Sequence, residues 1–188
     1  MPETRILDRQ IIHGVLMSVY DLGVLVLGQS GSGKSELALE MIERGHCLIA
    51  DDAVELTVRD SRLFGAAPEL TRGILAIRGL GLIDVEAIFG QSTLGNESAV
   101  DLAVLLFRED LQQPEDYLSP VRHERTFLDV TVPLVRFDIR HRPVRPAFIE
   151  TAVRLKKCGP SGTRIVRDLA RRHDAVVVAD DPTAKTSE

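Results

Sequence analysis

The chain has 188 residues, 44% of them hydrophobic and 27% charged, with a formal net charge of −5. That is close to the average soluble globular protein, so disorder, collagen-like sequence and repeat arrays are excluded, and a core can form without a disulfide or metal staple. No apolar run reaches the length of a membrane span, the N-terminus MPETRILDRQ lacks the apolar core of a secretory leader, and Cys47 and Cys158 join no Cys/His ligand cluster; the expectation is a cytoplasmic protein without a zinc site.

Residues 15–20 and 24–27 are β-branched-rich runs on either side of Asp21-Leu22-Gly23, which reads as a hairpin or a tight link between two strands. A glycine-rich loop follows at 28–35. Leu37, Ala38, Met41 and Ile42 then share one face of a helix expected over 36–44, with Gly45 as its C-cap. Cys47–Ala50 is apolar and ends in Asp51-Asp52. Val54, Leu56 and Val58 alternate with polar residues in another strand, closed by the turn Arg59-Asp60-Ser61-Arg62. Strands are expected at 74–77 and 100–107, with a short helix at 83–89 between them, and at 127–135, stopping near Pro133. Helices are expected at 146–157 and 161–172, separated by Gly159-Pro160 and with Ser161 as N-cap, then an edge strand at 176–178. The expected organisation is one domain over 1–181 and a flexible polar tail over 182–188.

Charge is distributed unevenly. Residues 1–120 hold 9 Lys/Arg against 19 Asp/Glu, whereas residues 121–173 hold 13 against 5. A nucleic-acid surface, an arginine-lined phosphate site and solvated helix faces all fit that asymmetry. With 4% aromatic residues and no Trp, platforms for base stacking are scarce.

The sharpest signal is Gly28-Gln29-Ser30-Gly31-Ser32-Gly33-Lys34-Ser35, a complete G-x-x-x-x-G-K-[ST] between an apolar strand and an amphipathic helix. Its glycines let successive backbone N–H groups turn inward around a phosphate, and the helix adds its positive end. In such a loop Lys34 reaches the β- and γ-phosphates and the Ser35 hydroxyl can ligate Mg²⁺, which points to a nucleoside triphosphate site.

Switches, motors and kinases share this loop, so the remaining acid must discriminate among them. Ordinary P-loop ATPases have an apolar strand that ends in a Mg²⁺-linked aspartate. Here the most apolar later strand, 102–107, ends in Arg108. The strand that ends in carboxylates is Cys47–Ala50, followed by Asp51 and Asp52, where one acid could hold the metal and the other take a proton. Their like charge would raise the pKa of one, and Mg²⁺ would oppose that rise.

His13-Gly14-Val15-Leu16, GQSGSGKSE from Gly28, RGHCLIADDAVE from Arg44 and IRGLGLIDVEAIFG from Ile77 together resemble the HPr kinase/phosphorylases over roughly residues 11–135. The resemblance implies an α/β P-loop core of the HPr kinase and phosphoenolpyruvate carboxykinase type, with a mixed sheet and C-terminal helices. It implies phosphorylation of a serine on the phosphocarrier HPr, with ATP or pyrophosphate as donor, and removal of that phosphoryl group by phosphate. Asp52 would accept and return the serine proton. Asp51 would support it through Mg²⁺ shared with Ser35. His13 and Lys34 would be further active positions, and Arg78, before Gly79-Leu80-Gly81, would contact phosphate or carrier. A homo-hexamer is also implied.

The chain departs from the family pattern at two places. Ala76 stands where the family has a Mg²⁺-linked Glu, and Leu134-Val135-Arg136-Phe137-Asp138 replaces a P-V-[RK]-P-G-R stretch linked to dephosphorylation. The first removes the second acidic Mg²⁺ ligand that the resemblance implies, and the second favours phosphorylation over phosphorolysis. Three rivals stay open: a kinase of similar fold acting on a small-molecule hydroxyl, a nucleotide-sensing module without turnover, and a nucleic-acid binder.

Overall fold

The computed structural model describes residues 9–108 and 123–159. These form one compact unit, except that Arg154–Gly159 belong to a second. The helix expected at 161–172, the strand at 176–178 and the tail from Pro182 lie outside the described residues.

Strands β1 (Gln10–His13), β2 (Val15–Val19) and β3 (Leu22–Gly28) open the chain. The β2–β3 hairpin is tighter than expected: Tyr20 (φ 48°) and Asp21 (φ 64°) make a two-residue turn, so Leu22 and Gly23 already belong to β3. Two successive left-handed residues match the twist of the flanking strands. After the phosphate loop comes α1 (Lys34–Glu43), which starts two residues earlier than expected because Gly33 (φ 89°) serves as its N-cap. Its other end is a Schellman motif. Gly45 N–H bonds Ile42 O (2.9 Å) and His46 N–H bonds Met41 O (3.1 Å), with Gly45 at φ 88°, a conformation that favours glycine.

Next come β4 (Cys47–Ala50), β5 (Ala53–Arg59) and β6 (Arg62–Ala66), the last two joined by Asp60 and Ser61, both with positive φ. Strand β7 (Ile74–Ile77) pairs with β8 (Gly81–Asp84), where the helix had been expected to begin. That helix, α2 (Val85–Phe89), starts later because the Asp84 carboxylate caps it by accepting from Ala87 N–H at 3.0 Å. Strand β9 (Glu97–Ala99) and β10 (Leu102–Phe107) follow, and then β11 (His123–Phe127) and β12 (Val130–Asp138).

The single strand expected at 127–135 is instead a hairpin turning at Leu128 and Asp129 (φ 46° and 61°), and β12 runs through Pro133. Pro133 faces Glu124, the third pair on from the hydrogen-bonded pair Phe127–Val130 that closes the turn, and hydrogen-bonded pairs alternate with non-hydrogen-bonded ones. It therefore occupies a non-hydrogen-bonded position relative to β11, and the pairing with β10 begins only at Leu134, so its missing N–H leaves no gap in the ladder.

The strands form a six-stranded mixed sheet in the order β11-β12-β10-β3-β2-β4, a four-stranded antiparallel sheet β1-β5-β6-β9, and the β7–β8 pair. Both faces of the six-stranded sheet are covered. Val15, Met17, Val24 and Val26 pack toward α1 and α3 (Pro146–Cys158) with Leu37, Met41 and Ile149. Leu16, Leu25 and Leu27 pack on the other side with Val54, Leu56 and Leu63 of the four-stranded sheet. Double coverage is why β2 and β3 read as continuous apolar runs rather than alternating ones. Each fully buried Leu contributes roughly 1.5–3 kcal/mol relative to exposure.

Helix α3 is fastened to the end of α1 by charge. Glu150, buried, accepts from Arg44 Nε (2.7 Å) and Nη2 (2.6 Å), and its Oε1 lies 3.0 Å from His46 Nε2. The Arg44 hydrogen bonds hold the Glu150 carboxyl down to about 2 from its ordinary 4.5, with His46 assisting and burial opposing. A depressed carboxyl stabilises the fold above its unfolded pKa, and that contribution fades as pH falls through the folded value. The stability difference between the parent and Glu150→Gln should therefore be full above pH 4.5 and shrink toward zero near pH 2, as followed by denaturant melts across that range. A difference that does not change with pH would refute this.

Candidate active site

Strands β3, β10 and β12 run parallel, and β4 runs in the same direction through the antiparallel β2. The loop after β3, Asp51 after β4 and Arg108 after β10 therefore share one edge of the sheet, where α/β proteins bind their ligands.

The phosphate loop is tightly folded. A Cβ on Gly28 would lie 2.7 Å from Ser32 Oγ and 2.8 Å from the Leu106 carbonyl, so only glycine fits against β10 there. Ser32 N–H bonds Gln29 O (3.2 Å), and Leu37 N–H begins the helix on Gly33 O (2.9 Å). Lys34 donates to the carbonyls of Gly28 (3.0 Å) and Gln29 (3.1 Å). Burial pushes its ammonium pKa down, and Asp51, Asp52 and Glu36 oppose the shift.

The two adjacent aspartates have opposite surroundings. Asp51 is 3% exposed; it accepts from Ser35 Oγ at 2.8 Å and from Ala76 N–H at 3.0 Å. Burial pushes its carboxyl up, while the donors on Ala76, Ser35 and the Asp52 backbone pull it back. Asp52 faces solvent, with a side chain 72% exposed, and its Oδ1 lies 2.9 Å from His13 Nδ1. Ala53 N–H bonds Asp51 O (2.8 Å) around Asp52 at φ 66°. This three-residue turn has the hand of the rarer, strained γ-turn. The Asp52 carbonyl accepts from Gly14 N–H (3.1 Å) and lies 3.0 Å from His13 Nδ1, which ties the turn to the link between β1 and β2.

Two cavities flank the loop. One, of about 180 Å³, brings together His13, Ser30, Gly31, Gly33, Lys34, Ser35, Asp51, Asp52 and Arg78, together with Glu36 and Ala76. The other, of about 370 Å³, lies against Gly28, Gln29, Ser30 and Ser32 and is walled by Arg108, Arg125 and Arg136; His13 borders both. The sequence-expected residues thus surround the two sides of one loop. Sequence reasoning missed Glu36, the Ala76 backbone donor, and Arg125 and Arg136 as cavity residues. The charge excess over 121–173 was the available signal for the two arginines. At Ala76, the expected departure from a family Glu, the backbone engages Asp51 instead of a side chain.

A hydroxyl and a carboxylate hydrogen-bonded to each other beside a phosphate loop form a hard-oxygen donor set that fits Mg²⁺, an ion that keeps several water and phosphate ligands. Among the described residues, no group of three or more His, Cys, Asp or Glu gathers to hold a metal alone. No helix among the described residues is long and apolar enough to cross a membrane.

Residues 4–173 match the family model described as the HPr Serine kinase C-terminal domain. The chain is 38% identical over 170 residues to the HPr kinase/phosphorylase of Streptococcus gordonii, covering 88% of this chain and 55% of that protein. It is 44% identical over 130 residues to the HPr kinase/phosphorylase of Caldanaerobacter subterraneus, covering 69% of this chain and 43% of that protein. The chain thus spans about half the length of the curated relatives it matches. The solved structure of the HPr(Ser) kinase/phosphatase from Coxiella burnetii matches with a TM-score of 0.71 at 35% identity, covering 80% of this chain and 99% of that one.

The backbone at Asp52 yields a direct test. A left-handed residue other than glycine is strained, and most so when β-branched. Asp52→Gly should hold or raise the melting temperature, whereas Asp52→Val should cost about 1–2 kcal/mol. Equal melting of the two variants in a thermal scan would refute the strain.

Proposed function

The chain belongs to the HPr serine kinase C-terminal domain family, and from that premise we propose that it transfers the γ-phosphoryl group of ATP to a serine hydroxyl of an HPr-like phosphocarrier protein. The observation that carries this reading is the division between two adjacent acids at one strand end. Asp51 is buried and tied to Ser35, while Asp52 is turned out to solvent beside the loop.

Lys34, bonded to its own loop's carbonyls, would transfer those hydrogen bonds to phosphate oxygens. The inward backbone N–H groups of the loop would hold the β- and γ-phosphates. Ser35 and Asp51 would hold Mg²⁺, which when bound supplies positive charge against the phosphate oxygens.

The serine oxygen forms a bond to the γ-phosphorus as the bond from that phosphorus to the β-bridging oxygen breaks, and the serine proton passes to Asp52. Phosphoryl transfer has a loose transition state in which the nucleophile loses its proton late, so an exposed carboxylate suffices as base. His13, 2.9 Å from Asp52 Oδ1, orients that carboxylate. Arg78 lines the same cavity and would meet phosphate or carrier.

In reverse, an oxygen of inorganic phosphate bonds to the phosphoserine phosphorus as the bond from that phosphorus to the serine oxygen breaks, the serine oxygen takes the proton back from Asp52, and pyrophosphate leaves. Pyrophosphate has the same linked pair of phosphates as ATP and would serve as an alternative donor.

The test is label transfer from γ-labelled ATP with Mg²⁺ to an HPr-type carrier. Asp52→Asn should slow transfer by about 10²–10⁴-fold, the usual contribution of a positioned base, with ADP affinity little changed. A carrier whose target serine is alanine should take no label. Undiminished transfer by Asp52→Asn, or label on the alanine carrier, would overturn the proposal.

A further inference from the structure

A third cavity, of about 460 Å³, shares no residue with the two at the phosphate loop, and the chemistry proposed for the loop does not involve it. Its size is that of a small-molecule site. Arg72 reaches it from just before β7, Asp84 from the end of β8 and Glu86 from the first turn of α2. Gln91 and Asn96 line it from the segment between α2 and β9.

The charges in this cavity have both signs and are unspent. Arg9, Arg44, Arg59, Arg62 and Arg140 each pair with a carboxylate. Arg72 shares a cavity with two carboxylates and pairs with neither. Asp84 Oδ1 accepts from Ala87 N–H; its other oxygen and the side chains of Arg72, Glu86, Gln91 and Asn96 make no hydrogen bond or ion pair among the described residues. Opposite charges that line one cavity without meeting leave room for a solute that carries both. A guanidinium takes a carboxylate through two parallel hydrogen bonds, and an ammonium has three donors for carboxylate oxygens. The two amides add donors and acceptors for a polar side chain. A multiply charged anion would meet two carboxylates for one arginine, which selects against it.

The walls of this cavity are joined to Asp51 from two directions. Ile74 lines it, and further along β7 the Ala76 N–H holds Asp51 Oδ2 at 3.0 Å. On the other side Gly95 N–H bonds Leu48 O (2.8 Å) and Leu94 bridges to Leu48, in the strand that leads to Asp51. The β7–β8 pair ends at the cavity, where Ile74 faces Asp84 and Val85 N–H bonds Gly73 O (2.9 Å). A solute that ties Arg72 to Asp84 and Glu86 clamps this end of the pair and steadies the strand that donates to Asp51.

We propose that this cavity binds a free α-amino acid with an uncharged polar side chain, its carboxylate on Arg72 and its ammonium on Asp84 and Glu86, and that the bound amino acid strengthens Mg²⁺-dependent nucleotide binding by holding Asp51. The binding stands on the cavity alone, whereas the coupling rests on the roles proposed above for the phosphate loop and Asp51. Linkage is reciprocal, so nucleotide with Mg²⁺ tightens the amino acid in turn.

The test is equilibrium dialysis of the parent, Arg72→Gln and Glu86→Gln against radiolabelled serine, threonine, asparagine and glutamine, without nucleotide. At least one should bind the parent saturably, and both variants should lose about 10-fold or more of that affinity. Calorimetry of ADP with Mg²⁺ reads the coupling. The saturating amino acid should tighten ADP about 5-fold or more in the parent and leave Arg72→Gln unchanged. Without amino acid, both variants should bind ADP as the parent does, which shows that they fold; if one does not, the other decides. No saturable binding of any of the four, or undiminished binding by the variants, would overturn the proposal. An unchanged ADP affinity in the saturated parent would overturn the coupling. A parent that binds the amino acid but not ADP would overturn the nucleotide reading and the coupling with it, and would support the site.

Discussion

The burial of one carboxylate organises the site. Asp51 lies at the end of a strand with almost no exposure, so its charge must be met by donors, and Ser35, Ala76 and the Asp52 backbone supply them. An uncompensated charge there would cost several kcal/mol. Those donors come from the first turn of α1, from β7 and from the turn after β4, so satisfying Asp51 fixes the relative positions of three segments. Asp52 then has nowhere to go but outward: the chain reverses within one residue to enter β5, and its side chain is left in solvent beside His13. The proposed roles, one acid at a metal and one at a proton, follow from that backbone path.

The sheet brings these pieces to a common edge. Three parallel strands and a fourth running the same way end together, and packing on both faces makes the six-stranded sheet a rigid platform. The sheet supplies opposite charges to two cavities at the phosphate loop, carboxylates directly after β4 and arginines directly after β10 and within β11 and β12. The clasp of Arg44 and His46 on Glu150 secures α3 at the far end of α1. It accounts structurally for the R-G-H part of a motif whose D-D part is proposed to carry the chemistry.

Much of this was legible from residue order. The phosphate loop announced itself by glycine spacing, and the Asp51-Asp52 pair by its position after the next apolar run, since each depends on local chain geometry. The expected helix and strand around the loop are present for the same reason. What sequence missed depends on partners distant in the chain. The β11–β12 hairpin was obscured by Pro133, whose tolerance comes from where β10 begins to pair. The late start of α2 rests on a cap at Asp84, within a stretch whose apolar pattern also suits a helix. Arg125 and Arg136 were visible only as an excess of charge; their convergence on one cavity arises when two neighbouring strands place them beside the loop. The opposite environments of Asp51 and Asp52 could not be read from two identical letters, because burial is decided by the segments packed around them.

The central claim is that these two acids do different work, Asp51 for the metal and Asp52 for the proton. The most direct measurement is the Mg²⁺ dependence of ADP affinity, by calorimetry, in the parent, Asp51→Asn and Asp52→Asn. The account predicts that added Mg²⁺ strengthens ADP binding in the parent and in Asp52→Asn, and that Asp51→Asn loses most of that gain. Loss of the Mg²⁺ effect in Asp52→Asn with its retention in Asp51→Asn, or equal loss in both, would contradict the division of roles.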